Sequence, residues 1–258
     1  KGAGLTIADW EMTKRTYGVA DNKYNPSFGY RKNGEAYNAN HNYYHKPQIS
    51  LNHQWEIDGK SSLSTSLYMS LGRGGGYSGQ GNDKFSPYSY SSWNGAYKGV
   101  LNTTFRCPDG TFDYAAIEDY NASSEYGSAL VMSESKNEHV WYGLLSTYTT
   151  KFGENFDFYG GVDFRYYKGT HTNVISDLFG GEYYMDNADR LKVKAANNAA
   201  AADPMWAYEK LYVGDVVYRD YDGHVMQEGA FFQLEYNKDK LAAFVSGSLS
   251  NTGYWRVD

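Results

Sequence analysis

The sequence predicts an all-β protein built from long antiparallel strands, and three observations predict it. Apolar and polar residues alternate over stretches of about ten residues. These stretches come in pairs that are separated by only a few turn residues. Tyrosine is abundant, at 27 of 258 residues, although the mean hydropathy is −0.67. Since successive side chains of a strand point to opposite faces, each pair predicts a hairpin with one apolar and one polar face.

The first hairpin is predicted at residues 47–72. A turn at 59–61 would pair Ile57 with Leu63. Each arm is about ten residues long, close to what a tilted strand needs to cross a bilayer. The alternating residues of the apolar face are Ile49, Leu51, His53, Trp55, Ile57, Leu63, Thr65, Leu67, Met69 and Leu71.

The second hairpin is predicted at 138–167 and the third at 226–256. In the second, the polar face carries all the charge of both arms, namely Lys151, Asp157, Asp163 and Arg165. In the third, a turn at 237–240 would pair Tyr236 with Leu241. The second hairpin's apolar face comprises Val140, Tyr142, Leu144, Tyr148, Thr150, Phe152, Phe156, Phe158, Gly160, Val162, Phe164 and Tyr166.

Three long segments, 1–46, 73–137 and 168–225, lack this alternation and are predicted to be loops. We expect a short strand near 5–17 and helices near 112–120 and around 187–202. Short turns at one end of the strands and long loops at the other are typical of outer-membrane barrels. The prediction is therefore an antiparallel transmembrane β-barrel segment of about six strands in three hairpins. Its short turns would be periplasmic, and its long extracellular loops would carry short helices.

Composition excludes several other classes. A net charge of −6 without a basic stripe disfavours nucleic-acid binding. The single cysteine, Cys107, excludes an internal disulfide framework and a Cys-rich metal site. No run of 18 apolar residues predicts a membrane helix. Many tyrosines in a polar chain are typical of surfaces where apolar groups meet water.

The sequence contains no motif that predicts catalysis, so no enzyme, catalytic residue, metal site or cofactor is predicted. Gly74-x-Gly76-x-x-Gly79 formally matches a dinucleotide fingerprint, but no helix is predicted after it, so we interpret it as a flexible loop. Asp220-Tyr221-Asp222-Gly223 resembles the start of a calcium loop, but Phe231 occupies the position of the required glutamate. We interpret it as a turn before the fifth strand.

Four stretches resemble a known family: HKPQISLNHQWEID (45–58), SSLSTSLYMSLGRGGGYSGQG (61–81), VGDVVYRDYDGHVMQEGAFFQLEY (213–236) and LAAFVSGSLSNTGYWR (241–256). They are similar to the barrel of TonB-dependent outer-membrane receptors of Bacteroidota. The resemblance implies a bacterial outer-membrane location, a barrel of 22 strands, an N-terminal plug domain, a TonB-contacting segment and energised uptake of a scarce ligand.

The chain departs from that family by omission. No plug domain, TonB-contacting segment or signal peptide is recognisable, and both ends read as cut, so we expect a piece of a longer polypeptide. Six strands are fewer than the eight of the smallest membrane barrels, so the piece should not transport anything alone. The implied partners are outer-membrane lipid, the protein's own plug and TonB through the missing parts, a small-molecule or oligomeric nutrient, and a surface lipoprotein.

Alternative functions remain open at this point. A passive porin or adhesin barrel has the same strands without the plug. A secreted carbohydrate-binding β protein would need a second layer covering the apolar faces. A structural surface-layer role is a third alternative.

The predicted binding residues are aromatic residues of the long loops, because such rings can stack on a glycan, a siderophore or haem, or a peptide. The competing interpretation is that these rings pack the loops together. The five candidates are Tyr77, Tyr88, Trp93, Tyr184 and Trp206.

Overall fold

A computed structural model describes residues 4–18, 23–93, 96–97, 100–186 and 205–258. The described chain is mostly β, with antiparallel sheets, so the prediction of an all-β fold is confirmed. The helix predicted around 187–202 lies outside the described residues.

The described elements are two α-helices, one 3-10 helix (Tyr90–Trp93) and fourteen strands. The helices are α1 (Ile7–Tyr17) and α2 (Tyr114–Ser123). The strands are β1 (Phe28–Tyr30), β2 (Ala36–Asn38), β3 (Asn42–His45), β4 (Gln48–Glu56), β5 (Ser61–Gly81), β6 (Ala96–Tyr97), β7 (Val100–Leu101), β8 (Phe112–Asp113), β9 (Leu130–Phe152), β10 (Phe156–Asp177), β11 (Tyr184–Asp186), β12 (Glu209–Leu211), β13 (Val216–Lys238) and β14 (Leu241–Val257).

The largest sheet has seven strands. Its order is β14-β13-β10-β9-β5-β3, and β4 also pairs with β5. Strands β5, β9, β10 and β13 are 21 to 23 residues long. They therefore extend well beyond the arms of about ten residues that the alternation predicted. None of the helices in the described part of the chain has the length and apolar character to span a membrane.

The chain divides into two compact units. The first, called the core unit below, comprises Lys1–Tyr43, Gly75–Lys136 and Thr172–Asp220. The second, called the sheet unit, comprises Tyr44–Gly74, Asn137–His171 and Tyr221–Asp258.

The predicted register at the first turn is wrong by two residues. Trp55, not Ile57, lies opposite Leu63, and the amide of Ile57 donates to the carbonyl of Ser61. The carboxylate of Asp58 stabilises the shifted turn by accepting a hydrogen bond from the Lys60 amide at 2.7 Å. Asp at this position of a turn mimics a backbone acceptor. A shift of two residues leaves every side chain on its predicted face.

The third turn is shorter than predicted. Strands β13 and β14 are joined by residues 239 and 240 alone, so Tyr236 pairs with Ala243 rather than Leu241. Asp239 takes the left-handed conformation (φ 51°) that a two-residue hairpin loop requires and that Asp tolerates. Between β9 and β10 a turn at 153–155 begins with Gly153 in the same region (φ 61°).

Residues 7–17 form helix α1, so the strand predicted near 5–17 is wrong. Thr6 caps the helix by accepting a hydrogen bond from the Asp9 amide, and Gly18 ends it in the left-handed region. These local caps favour the helix over a short strand. The helix predicted near 112–120 is present as α2, with Asp113 as its N-cap.

The glycine-rich stretch 73–81 is strand rather than loop. It forms the end of β5, so the interpretation of Gly74-x-Gly76-x-x-Gly79 as a flexible loop is wrong. A Cβ on Gly79 would lie 2.2 Å from Cγ of Trp93, and one on Gly76 would lie 2.8 Å from the carbonyl oxygen of His41. Neighbouring groups occupy the space of the missing side chains, so glycine here permits close approach.

Asp220 and Asp222 also lie within a strand, β13, and not in a turn. Their carboxylates accept hydrogen bonds from hydroxyls of β10. Thr172 donates to Asp220 at 2.8 Å, and Thr170 donates to Asp222 at 2.6 Å.

The core unit contains two apolar clusters. Leu130 and Met132 belong to the first cluster, and Val131 belongs to the second. Because successive residues of a strand face opposite ways, the clusters cover opposite faces of the start of β9. The first cluster comprises Trp93, Phe105, Phe112, Tyr114, Ile117, Leu130, Met132 and Phe179. The second comprises Val131, Ile175, Tyr184, Leu211 and Val217.

Candidate functional site: a two-faced sheet and a polar-face cleft

The strand pairs of the sheet unit separate apolar from polar side chains. Between β4 and β5, Leu51 faces Leu67 and Ile49 faces Met69, whereas Asn52 faces Ser66. Paired residues of a sheet share a face. We call the side that carries Leu51 and Leu67 the apolar face and the side that carries Asn52 and Ser66 the polar face.

The last strand pair has the same separation. Leu234 faces Val245 and Ala230 faces Leu249 on the apolar face. Gln233 faces Ser246 and Gln227 faces Thr252 on the polar face.

The apolar face is not covered within the sheet unit. Leu51 is 68% exposed and Leu249 is 80% exposed, while Phe158 and Phe164 are half-buried. Every buried hydrophobic residue of the described chain belongs to the core unit. Among its described residues, the sheet unit buries only Ser, Thr and Gly. The sheet unit therefore has a large apolar surface without a hydrophobic core.

Aromatic rings border this surface at two levels along the strands. Near the short turns, Phe156 contacts Tyr236 (4.9 Å between ring centroids) and Phe152 contacts Phe158 (6.3 Å). Further along the strands, the second group consists of Tyr142, Tyr166, His224 and Trp255, linked by ring contacts of 5.0 to 6.2 Å. The Tyr166 hydroxyl also lies 2.8 Å from Nδ1 of His224.

Smaller and aliphatic side chains lie between the two aromatic levels. On β10 these are Gly160 and Val162, and the paired strands contribute Leu67, Leu51, Val245 and Leu249, although Phe164 of β10 and Phe232 of β13 also face this side there.

On the polar face, several rings lie directly over glycines of neighbouring strands. A Cβ on Gly143 would lie 2.4 Å from the Tyr68 hydroxyl, and one on Gly72 would lie 2.1 Å from the His139 ring. A Cβ on Gly161 would lie 2.6 Å from the Phe231 ring and 2.4 Å from the carbonyl oxygen of Ser146. These glycines allow large rings to lie against the sheet.

We expect Gly161→Ala to lower the free energy of unfolding by roughly 1–3 kcal/mol, because the methyl group overlaps backbone that cannot move alone. Gly253→Ala is the matched control, since nothing lies within 4 Å of its added Cβ. The control should be neutral or slightly stabilising, since alanine has less backbone entropy to lose. Urea titration in detergent measures both variants, and equal stabilities would refute the close approach.

An open cleft of about 470 Å³ lies in the sheet unit, and the His139 ring lines it. The ring of Tyr68 contacts the ring of Trp141, with 5.3 Å between their centroids. His139 stacks on Tyr167, with 5.9 Å between their ring centroids. The residues that line the cleft are Lys46, His139, Trp141, Arg165, Tyr167, Val225 and Gln227.

The cleft is cationic. Lys46 and Arg165 are both exposed, and no Asp or Glu is among the described residues that line it. Within the described chain, neither cation has a carboxylate oxygen within 4.0 Å. Lys46 lies 5.8 Å from the centre of the Tyr44 ring. The arrangement combines positive charge with flat apolar surfaces.

Two of the five predicted binding residues are buried in the core unit. Trp93 is 3% exposed and donates its indole N–H to the carbonyl of Gln80 at 2.8 Å. Tyr184 is 6% exposed and belongs to the second cluster. Both side chains pack the interior of the core unit, so in this structure their rings have no free face for a ligand.

The other three predicted residues are more accessible than Trp93 and Tyr184. Tyr77 is 37% exposed and stacks on Tyr37. Tyr88 packs against the first cluster through Phe105 and also contacts Tyr120. Trp206 is half-buried in a turn at 205–207.

Buried phenols and an ion-pair network reinforce the core unit. Burial raises the pKa of the Tyr37, Tyr114 and Tyr184 hydroxyls far above the ordinary value, so they stay neutral. The guanidinium of Arg31 bonds Glu118 at 2.6 Å and Asp177 at 2.5 Å and lies over the Phe179 ring. These groups connect distant parts of the chain and are structural.

The sequence did not predict the cleft. Its only sign was the placement of His139 with Trp141, and of Arg165 with Tyr167, two residues apart on the polar faces of neighbouring arms. Within the described residues, no group of three or more His, Cys, Asp or Glu is placed to hold a metal ion.

Comparison with known proteins does not assign the chain to a protein family. No protein-family model matches the chain, and no curated protein matches it.

Proposed function

We propose that the sheet unit is part of a β-barrel in a bacterial outer membrane. The observation that carries the proposal is the absence of buried hydrophobic residues from the described part of the sheet unit, combined with its exposed apolar face. In water such a face would lose the burial that stabilises a domain, whereas hydrocarbon solvates it. A membrane sheet also keeps its polar face toward an aqueous interior.

The two aromatic levels support the same proposal. Phe156 and Tyr166 are separated by about 33 Å along a strand at about 3.3 Å per residue. A strand tilted by about 40° projects this to about 25 Å, the height of the apolar band of outer-membrane barrels. Tyrosine and tryptophan favour the two interfaces because their rings are apolar and their polar atoms reach water.

We further propose that the whole protein is a TonB-dependent receptor that imports a scarce ligand. The resemblance of 45–58, 61–81, 213–236 and 241–256 to that family supports this step. The turns of the sheet unit are two to four residues long, whereas the segments at the other ends of the strands fold into the core unit. In the proposed mechanism these segments contact the ligand, a plug domain moves, and TonB supplies the energy.

The membrane assignment is tested by contact with lipid. In a Cys107→Ser background, single cysteines at Leu67 or Leu249, labelled with a fluorophore in outer-membrane vesicles, should be quenched several-fold by brominated lipid. Cysteines at the adjacent Ser66 and Ser248 are the controls on the polar face and should be quenched little, because neighbouring residues point to opposite faces. Equal quenching at both positions of each pair would refute the proposal.

The receptor assignment is tested separately. A globular plug domain encoded before the barrel is expected for a receptor, and its absence from the full-length protein would indicate a porin instead.

A further inference from the structure

The polar-face cleft brings together two cations without a nearby carboxylate. Lys46 and Arg165 both line it, although they are far apart in sequence. Within the sheet unit, two carboxylates share the polar face of β10 with Arg165. Asp157 lies 3.7 Å from Nζ of Lys151, and Oδ1 of Asp163 lies 2.4 Å from where a Cβ on Gly229 would be. An arginine fork that is free of carboxylate partners can bind an anionic group through two hydrogen bonds.

Three aromatic side chains also line the cleft, together with Val225 and Gln227. Trp141 is held by Tyr68, and the stack of His139 on Tyr167 lies over Gly72 and against Gly169, where an added Cβ would lie 2.7 Å from the Tyr167 hydroxyl. All three lining rings are half-buried, so each keeps part of its surface accessible. Such held rings present flat apolar surfaces at little entropic cost on binding.

We propose that this cleft binds an organic anion with a flat ring body, whose carboxylate or phosphate contacts Arg165 and Lys46 and whose ring stacks beside Trp141. A volume of about 470 Å³ is within the range of small-molecule sites. Charge complementarity excludes organic cations as the preferred ligand. The proposal that this anion is the imported ligand depends on the proposed function, whereas binding itself does not.

The test uses the full chain in detergent and measures calorimetric binding of 2-naphthoate, 2-naphthyl phosphate and the uncharged 2-naphthamide. We expect both anions to bind more tightly than the amide. Arg165→Gln should weaken binding of the anions about tenfold or more and leave the amide unchanged. Trp141→Leu should weaken all three probes. Comparing the two anions shows whether a carboxylate or a phosphate is preferred.

Arg73→Gln is the matched control, because it removes the same charge from an exposed arginine that does not line the cleft. It should leave the binding of all three probes unchanged. Three results would overturn the proposal: no probe binds, the amide binds as tightly as the anions, or Arg73→Gln weakens anion binding as much as Arg165→Gln.

Failure of this proposal is distinguishable from failure of the membrane assignment. Lipid quenching at position 67 without naphthoate binding would support the membrane assignment and refute the anion site. Naphthoate binding without lipid quenching would support the anion site and refute the membrane assignment.

Discussion

Leu67→Arg is expected to lower the free energy of unfolding of the protein in a bilayer by about 2–4 kcal/mol, which is the cost of arginine near the middle of a membrane strand. Leu67 is 45% exposed and faces Leu51 on the apolar face. In water, a charged residue at such an exposed position would change stability by no more than about 0.5 kcal/mol. The size of the effect therefore reports which solvent contacts this face.

Ser66→Arg is the control for Leu67→Arg, because Ser66 is the adjacent residue on the polar face. It loses one hydrogen bond, from the Ser66 hydroxyl to Oδ1 of Asn52 at 2.7 Å, which is worth about 1 kcal/mol. Urea titration of the protein in phospholipid vesicles, followed by tryptophan fluorescence, measures both variants. A cost for Leu67→Arg no greater than that of the control would show that the apolar face does not contact hydrocarbon.

Trp93→Ala is expected to destabilise the core unit by about 3–5 kcal/mol, since it removes a large buried side chain and leaves a cavity. The ring packs over Gly79 and contacts Phe179 at 4.9 Å. Its loss also leaves the carbonyl of Gln80 without the indole donor. Hydrogen exchange of the backbone amides of the core unit provides the measurement, because protection reports local opening.

Tyr90→Ala is the control for Trp93→Ala. Tyr90 begins the same 3-10 helix but is 47% exposed, so its replacement should change protection little. If Trp93→Ala left the protection unchanged, the ring would not be a packing residue, and a ligand-binding role for it would again be open.

The outcome for Trp93 and Tyr184 shows why aromatic residues in a predicted loop are a weak sign of a binding site. Both residues lie in segments without alternation, and composition alone allows either packing or ligand contact. The choice depends on residues far away in sequence, such as Phe179 for Trp93 and Leu211 for Tyr184. The cationic cleft depends on similar long-range contacts, because Lys46 and Arg165 belong to different strand pairs.

The sequence by itself determined which side chains share a face. Alternation is a local property of the extended backbone, so the faces of Leu51 and Leu67 or of Leu234 and Val245 were predictable even where the register was wrong by two residues. Capping signals at Thr6 and Gly18 were local as well, but the prediction of a short strand at 5–17 did not use them.

Only the tertiary structure decided how far the strands extend and which faces are covered. The glycine-rich end of β5 has little strand propensity, and it becomes strand because Trp93 and the His41 backbone fill the space beside its glycines. The apolar face of the sheet unit is uncovered, while both faces of the start of β9 are covered. Coverage depends on contacts between residues distant in the chain, and no local pattern specifies them.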